Sequence, residues 1–258
     1  HDALPISMKQ YLAGIFDAEG YVRIRKNLNK GYGYSYTYEV RVYMCDLDII
    51  TLFSKQYDLK ISSSNRGIDR KIAYYICLNG KQLRETSFID DILPYLNEKR
   101  LQLQEIKNLI LGIKDREDCY QDYMKAKESF SHPIVGKLSY EYIAGVLDGD
   151  GWFTMFNASK DKTRFSAINK FAFGLEQRYK PMIDYMLLFG GSVNQRPLLS
   201  DKHTQTWEWR INDKTMLPLL INIYPYLVEK EDQCGKMIDY IQKYEEFKNY
   251  SQIMLSQW

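Results

Sequence analysis

The chain has 258 residues, of which 45% are hydrophobic and 26% are charged, and this balance is typical of a folded protein that buries a core. Its 35 Lys and Arg residues are matched by 33 Asp and Glu residues, so the formal net charge is only +2 at pH 7. A chain-wide basic field is thereby excluded, and any nucleic-acid surface must arise from local clustering of positive charge.

Cysteine and histidine usage argues against a disulfide framework or a zinc site. The four cysteines are scattered without a CxxC pair, and the three histidines lie far from them and from one another. No apolar run approaches the roughly 20 residues that span a bilayer, and the N-terminus lacks the layout of a secretory signal. We expect an intracellular protein without membrane contact, in an organelle (mitochondrion or chloroplast) or in a bacterial or phage cytoplasm, a choice that the composition leaves open.

The N-terminal half alternates between helix and strand patterns. Residues 1–7, HDALPIS, carry no pattern and are interpreted as a non-native leader. A helix is predicted from Met8 to Ala18, and period-two alternation predicts strands at 21–27, 34–44, 59–65 and 71–79. Further helices are predicted at 47–57, 81–92 and 97–113.

A charged segment, residues 114–137, is interpreted as a linker to a C-terminal half with the same element order. Strands in that half are predicted near 152–159, 164–175, 191–196 and 204–212, with helices between and after them.

The two halves are copies of one unit. At a shift of 131 residues, YLAGIFDAEGYVRI (11–24) aligns with YIAGVLDGDGWFTM (142–155), and LPYLNEK (93–99) aligns with YPYLVEK (224–230). Two matches at one shift, near opposite ends of each half, indicate a tandem duplication. We therefore predict an α+β protein of two αββαββα repeats, residues 8–113 and 138–258, related by a pseudo-two-fold axis.

Small residues recur four apart on the two duplicated helices, which we call the motif helices. Gly14 with Ala18, and Gly145 with Gly149, form stripes that carry almost no side chain. Because the stripes recur at the repeat shift, we expect the two motif helices to pack against each other along them.

Each motif helix ends in an acidic residue, Glu19 in the first copy and Asp150 in the second. The helix dipole disfavours carboxylates at this end unless a positive charge lies between them. A divalent cation satisfies that condition, and Mg²⁺ binds through one or two carboxylates together with phosphate oxygens; solvated helix-end acids are the alternative. Asp17 and Asp148 point about 200° away round their helices, so we give them a structural role, such as hydrogen bonding to backbone.

The segments LAGIFDAEG (12–20) and IAGVLDGDG (143–151) resemble the motif that names the LAGLIDADG homing endonucleases. Two copies on one chain resemble the single-chain, two-repeat branch of that family. The resemblance implies a monomer with two antiparallel β-saddles that follow the DNA major groove. It also implies Mg²⁺-dependent hydrolysis of both strands with 3′ overhangs, and Glu19 and Asp150 as the metal ligands. Mn²⁺ or Ca²⁺ is expected to replace Mg²⁺ in binding.

The same resemblance assigns four further polar residues to the active site. Lys99 and Lys230 follow a proline, aromatic, leucine segment and match a lysine that stabilises phosphate charge or helps to orient water; a solvated charge at a helix start is the alternative. Gln177, within FGLEQ, matches a polar residue that positions water, and its partner at the repeat shift is Asp46. The two predicted sites are therefore chemically unequal.

Alternation gives each predicted strand an apolar and a polar face. Val22, Ile24 and Trp209 are expected in the core, whereas the other face suits base-edge hydrogen bonding, although any half-buried sheet shows this pattern. Residues predicted to contact DNA are Tyr21, Arg23, Arg25, Asn27, Thr37, Glu39, Arg41, Tyr43, Arg66, Arg70, Trp152, Thr154, Lys170, Arg196, Thr204, Thr206, Glu208 and Arg210. The second copy is less polar, so the predicted target is asymmetric and spans roughly 20 base pairs at about 10 per turn.

Two non-cleaving functions on this fold are open alternatives. An intron maturase would bind its own intron RNA and assist splicing, and a DNA-binding regulator would not need the acids. Because both motif helices keep an acidic end, the sequence favours site-specific cleavage of double-stranded DNA.

Overall fold

The computed structural model describes residues 5–31, 33–65, 67, 71–157, 169–197, 204–212 and 214–255. The chain divides into two compact units, residues 1–150 and 151–258. Both motif helices belong to the first unit, because the second of them ends at Asp150.

The first unit is built on an antiparallel sheet of four strands in the spatial order β1, β2, β4, β3. Its elements are α1 (Ile6–Glu19), β1 (Gly20–Asn29), β2 (Gly33–Met44), α2 (Leu47–Tyr57), β3 (Ser62–Ser64), β4 (Ala73–Asn79), α3 (Gln82–Glu85), α4 (Phe88–Ile92), a 3₁₀ turn (Leu93–Tyr95), α5 (Arg100–Leu111), α6 (Arg116–Glu128) and α7 (Tyr140–Asp150).

Most predicted elements of this half form, but one predicted helix is interrupted. The predicted helix 81–92 is wrong as a single helix, since it breaks into α3 and α4 at Thr86, whose backbone is extended. The Thr86 hydroxyl donates to the Gln82 carbonyl at 2.9 Å, and the Ser87 hydroxyl donates to the Asp91 carboxylate at 2.6 Å. A threonine hydroxyl that bonds to a carbonyl four residues earlier, as Thr86 does, slightly destabilises a helix. The first helix begins at Ile6, within the predicted leader.

The core of the first unit lies between the apolar sheet face and the helices. Val22, Ile24, Val40 and Val42 are buried in alternation along β1 and β2. Phe88 of α4 is the centre of an aromatic cluster, with ring centroids 5.6 Å from Phe16, 6.5 Å from Phe53 and 5.1 Å from Tyr57. Burying each such side chain contributes about 1.5–3 kcal/mol.

The segment predicted as a linker contains a helix of its own, α6. Asp115 caps this helix by accepting a hydrogen bond from the Glu117 N–H at 2.8 Å. The hydroxyl of buried Tyr123 donates to the Val22 carbonyl of β1 at 3.0 Å. The segment is therefore packed against the first sheet through α6.

The second unit repeats the sheet of the first, in the spatial order β5, β6, β8, β7. Trp209 is fully buried, packs edge-on against Phe173 at 5.1 Å and donates its indole N–H to the Gly190 carbonyl at 2.8 Å. Its elements are β5 (Gly151–Asn157), β6 (Asn169–Gln177), α8 (Lys180–Met186), a 3₁₀ turn (Leu187–Phe189), β7 (Ser192–Gln195), β8 (Trp207–Ile211), a 3₁₀ turn (Lys214–Met216), α9 (Leu217–Ile223), a 3₁₀ turn (Tyr224–Tyr226) and α10 (Glu231–Leu255).

The predicted fold class is confirmed, because both units carry a four-stranded antiparallel sheet with the same strand order. In the parts of the chain that the structure describes, we find no helix that is both long and apolar enough to cross a membrane.

Candidate functional site

The two motif helices, α1 and α7, cross at their glycines. A Cβ atom on Gly14 would overlap the Tyr142 carbonyl oxygen and lie 2.9 Å from the Val146 nitrogen. A Cβ atom on Gly145 would overlap the Tyr11 carbonyl oxygen and lie 2.9 Å from the Ile15 nitrogen. These neighbours correspond at the repeat shift, so the crossing is reciprocal, and only glycine on both helices permits this approach.

The acidic ends of the motif helices also lie close together. A Cβ atom on Gly149 would overlap the Cβ of Ala18 and lie 3.3 Å from the Cγ of Glu19. Glu19 therefore packs beside Gly149, the residue that precedes Asp150, and both acids are half-buried. The crossing thus brings together the two residues predicted to bind a metal.

Asp17 and Asp148 are buried at the crossing, and each accepts a hydrogen bond from a tyrosine on the opposite helix. Tyr142 donates to Asp17 at 2.6 Å, and Tyr11 donates to Asp148 at 2.8 Å. Asp17 also accepts from the backbone N–H of Asn97 at 2.6 Å. Burial raises the pKa of Asp17, against the opposing effects of the Lys99 charge and of the donors around the carboxylate. These contacts are structural, as the angular position of Asp17 on its helix predicts.

Lys99 lies against the end of α1. Its backbone N–H donates to Asp17 Oδ1 at 2.7 Å, and its ammonium contacts the Asp17 carbonyl and lies 3.4 Å from the Ala18 carbonyl. Cations are stabilised at such unpaired carbonyls by the helix dipole. The positive charge is thereby held at the two residues that precede Glu19.

Lys230 and Gln177 belong to the second unit. Both residues are buried, and the Lys230 ammonium lies 3.8 Å from Glu229. Lys230 immediately precedes α10 and its carbonyl accepts from the Cys234 N–H at 3.0 Å, just as the Lys99 carbonyl before α5 accepts from Leu103 at 3.0 Å. The two lysines thus occupy equivalent places in their repeats.

Asp46, the repeat partner of Gln177, caps a helix. Its carboxylate accepts a hydrogen bond from the Ile49 N–H at 2.9 Å at the start of α2. Helix caps of this kind typically stabilise by about 1 kcal/mol. An aspartate directly before a predicted helix start is a signal for this role in the sequence.

The donor set at the helix ends fits a partly hydrated hard cation. Among the described residues, no group of three or more His, Cys, Asp or Glu side chains is arranged to enclose a metal ion. Two carboxylates are instead present at adjacent helix ends, where the dipoles add negative potential. Mg²⁺ is typically held by one or two carboxylates, with water and substrate phosphate completing its shell.

The polar face of the first sheet carries an arginine cluster around one acid. Glu39 contacts Arg41 at 3.0 Å, Arg25 at 3.2 Å and Arg23 at 3.8 Å, and about 40–46% of each arginine side chain is exposed. The cross-strand register pairs Arg23 with Glu39. The four side chains therefore carry three positive charges and one negative charge on a solvent-facing sheet surface.

The remaining predicted residues of this sheet share the same face. Tyr21 is exposed and pairs with Arg41, Tyr43 is half-buried, and Asn27 donates to Thr37 at 3.2 Å. Beside them lies a concavity of about 390 Å³ whose lining also includes Asn79 and Arg84.

The polar face of the second sheet has the opposite arrangement, with one arginine between two acids. Arg196 contacts Glu208 at 2.9 Å and Glu176 at 3.2 Å, and these two glutamates are directly paired across β6 and β8. Like charges opposite each other destabilise a sheet unless a counter-charge lies between them. Thr206 donates to Glu176 at 2.8 Å. The sequence did not predict Glu176, which strand alternation places on the face opposite Gln177.

The other predicted contacts of the second sheet are partly described. The Arg210 guanidinium lies 5.7 Å from the centre of the Trp152 ring, and Thr154 and Thr204 are exposed. Arg66 and Arg70 and the side chain of Lys170 lie outside the described residues.

Comparisons with known proteins are informative at the level of structure. No protein-family model matches the chain, and no curated protein matches it. The structure of I-SmaMI bound to uncleaved DNA target in the presence of calcium ions aligns with a TM-score of 0.67 at 15% identity, over 96% of this chain and 93% of that chain.

Two further solved structures give the same result. The LAGLIDADG homing endonuclease I-SmaMI bound to cleaved DNA aligns with a TM-score of 0.65 at 15% identity, over 96% of this chain and 91% of that one. The LAGLIDADG homing endonuclease I-GzeII in complex with DNA target aligns with a TM-score of 0.63 at 16% identity, over 95% of both chains. The chain therefore has the fold of the single-chain, two-domain LAGLIDADG homing endonucleases.

Proposed function

We propose that this chain is a site-specific homing endonuclease that cleaves both strands of a DNA duplex. The observation that carries the proposal is the reciprocal glycine crossing, which places the acids Glu19 and Asp150 at adjacent helix ends. Solved structures with the same fold include I-SmaMI on uncleaved and on cleaved DNA. Paired carboxylates suit a metal-dependent nuclease, because they can hold the cation that activates water. A purely DNA-binding protein has no need of them.

The residues of the site divide the chemistry between them. Glu19 and Asp150 would hold a divalent cation, Mg²⁺ in our proposal, with Mn²⁺ or Ca²⁺ able to replace it in binding. Such a cation lowers the pKa of bound water and stabilises the charge of a phosphate under attack. Lys99 keeps a fixed positive charge at the end of α1, where it offsets the negative potential of Glu19 and attracts the DNA backbone. We propose an equivalent role for Lys230, and water positioning for Gln177 and Asp46.

The two sheet faces are proposed to contact the base edges. Arginine makes bidentate bonds to guanine and glutamate accepts from cytosine, so the Glu39 cluster offers both kinds of contact. The described cluster on the second sheet carries two acids and one arginine. An asymmetric target of roughly 20 base pairs follows if each sheet spans about one helical turn. We further propose that the chain acts as a monomer and leaves 3′ overhangs.

Selection from a DNA library tests the proposal. A supercoiled plasmid library with a randomised stretch of roughly 22 base pairs, on the scale of two helical turns, is incubated with the full chain and Mg²⁺, and linear products are sequenced. We expect one asymmetric sequence to be enriched among the linear molecules. Tight binding to a duplex without linear product would support a regulator instead. Preference for an RNA over the duplex, with neither cleaved, would support a maturase.

A further inference from the structure

The Tyr142 hydroxyl, on the second motif helix, donates to the Asp17 carboxylate, which also accepts from the backbone N–H of Lys99 in the first repeat. We propose that Tyr142 is a positioning residue for Lys99 and acts through Asp17, an inference that rests on the proposed nuclease function. Tyr142 touches none of Lys99, Glu19 and Asp150 in any contact described above, so its effect on cleavage would be indirect.

The hydrogen bonds form a continuous path across the helix crossing. The Tyr142 hydroxyl donates to Asp17 Oδ2 at 2.6 Å. The same carboxylate accepts from the Asn97 N–H at 2.6 Å and from the Lys99 N–H at 2.7 Å. One carboxylate thus joins a helix of the second repeat to the segment that precedes α5 in the first.

Lys99 is attached to Asp17 at both ends. Its backbone N–H bonds to the Asp17 carboxylate, and its ammonium bonds to the Asp17 carbonyl. Asp17, Lys99 and Tyr142 are 2%, 5% and 3% exposed, so water cannot readily replace a lost partner. A change in the Asp17 side chain is therefore transmitted to the lysine.

The Asn97 segment is also held by contacts to two residues other than Asp17. The Asn97 carbonyl contacts the His132 ring nitrogen at 2.7 Å, and its side-chain oxygen accepts from the Val135 N–H at 3.0 Å. With Asn97 held by these contacts, the hydrogen bond from the Lys99 N–H to the Asp17 carboxylate sets the position of the Lys99 backbone. Misplacement of a catalytic group by about 1 Å can cost 100-fold in rate.

The structure supplies a matched control for Tyr142. Tyr11 donates to Asp148 at 2.8 Å and corresponds to Tyr142 at the repeat shift. Tyr11→Phe removes the same hydroxyl from the same helix crossing but leaves the bonds of Asp17 intact. An effect that comes only from a loosened crossing would be common to both variants, whereas positioning of Lys99 belongs to Tyr142 alone.

Strand-resolved cleavage tests the inference. The selected duplex is labelled on each strand in turn, and the cleavage rates of wild type, Tyr142→Phe, Tyr11→Phe, Lys99→Ala and Tyr142→Phe/Lys99→Ala are compared. Lys99→Ala is expected to slow cleavage of one strand, and we expect Tyr142→Phe to slow cleavage of that same strand by about 10- to 100-fold. In the Lys99→Ala background, Tyr142→Phe should cause no further loss of rate. The inference would be overturned if Tyr142→Phe slowed cleavage of both strands equally or left both rates at the wild-type value. It would also be overturned if Tyr11→Phe slowed cleavage of the same strand as Tyr142→Phe.

A second measurement does not need cleavage. Amide hydrogen exchange of the peptide with Asn97 and Lys99 should become faster in Tyr142→Phe and stay at the wild-type rate in Tyr11→Phe. Unchanged exchange in Tyr142→Phe would overturn the positioning path. If the wild-type protein cuts no duplex in the selection, the proposed function fails, and the exchange result still decides whether Tyr142 fixes this segment.

Discussion

The carbonyl oxygen of Tyr142 occupies the space in which a side chain on Gly14 would begin. Because the neighbouring Val146 nitrogen is also backbone, neither obstacle can rotate away, and the two helices must separate to admit a methyl group. Overpacking typically costs 1–3 kcal/mol. We expect Gly14→Ala to lower the free energy of unfolding in urea by at least about 3 kcal/mol.

Gly112 is the control for this substitution. It has a φ of +63° and no atom within 4 Å of its hypothetical Cβ, so Gly112→Ala adds backbone strain without a clash. That strain should cost about 1–2 kcal/mol. A Gly14→Ala loss no greater than the Gly112→Ala loss would contradict the close helix crossing.

Replacing the Asp17 carboxylate should destabilise the first unit. Asp17→Asn removes a charged acceptor and places an amide donor among three donors, from Tyr142, Asn97 and Lys99. Buried hydrogen bonds to charged groups contribute about 1.5–3 kcal/mol, and we expect a loss of that size in urea unfolding. Asp184→Asn is the control, because that carboxylate forms an exposed pair with Lys180 and should matter by less than about 1 kcal/mol. Equal losses of unfolding free energy in the two variants would show that the buried Asp17 contacts stabilise the fold no more than the exposed pair does.

The contact of α6 with the first sheet should depend on pH. Hydrogen bonds from Lys26, Tyr36 and Gln121 lower the pKa of Glu117 from 4.5 to about 2. A carboxylate with a lowered folded-state pKa stabilises the fold above its unfolded pKa, and this contribution is lost as pH falls from about 4.5 to 2. We expect the melting temperature of wild type to exceed that of Glu117→Gln at pH 6, and the gap to narrow steadily below pH 4.5. A gap that stays constant down to pH 3 would rule out this ionisation as the cause.

Removing Glu39 should make DNA binding less selective. Glu39→Gln leaves Arg23, Arg25 and Arg41 without their shared anion, so the freed charge can contact phosphates. In fluorescence anisotropy with a non-target duplex, we expect tighter binding. The slope of the logarithm of the binding constant against the logarithm of the salt concentration should become steeper by about 0.9, which is the value for one added phosphate contact. Glu85→Gln, which removes an exposed acid on α3, is the control. An unchanged slope for Glu39→Gln would contradict the charge-balancing role.

The sequence predicted the features that depend on local periodicity or on the repeat shift. Alternation correctly placed Val22, Ile24 and Trp209 in the cores, and the duplication predicted two sheets of the same class. Strand faces and helix faces repeat every two or about 3.6 residues, so neighbours along the chain suffice to predict them.

Long-range polar contacts could not be predicted in the same way. Tyr142 and Asp17 are 125 residues apart, and Tyr36 and Glu117 are 81 residues apart. No local pattern distinguishes a tyrosine that donates across a helix crossing from one that only packs there. The interruption at Thr86 was missed because the helical pattern continues across this residue, whose backbone is extended and whose hydroxyl bonds to the Gln82 carbonyl.

Cleavage of a supercoiled plasmid that carries the selected target tests the central claim most directly. Wild type, Glu19→Gln, Asp150→Asn and the exposed-acid control Glu85→Gln are compared in Mg²⁺, with duplex binding measured in Ca²⁺. We predict linear plasmid with wild type and the control, and loss of linear product with either motif-helix variant while binding is retained. Full linearisation by Glu19→Gln or Asp150→Asn would contradict the assignment of these two acids as the cleavage site.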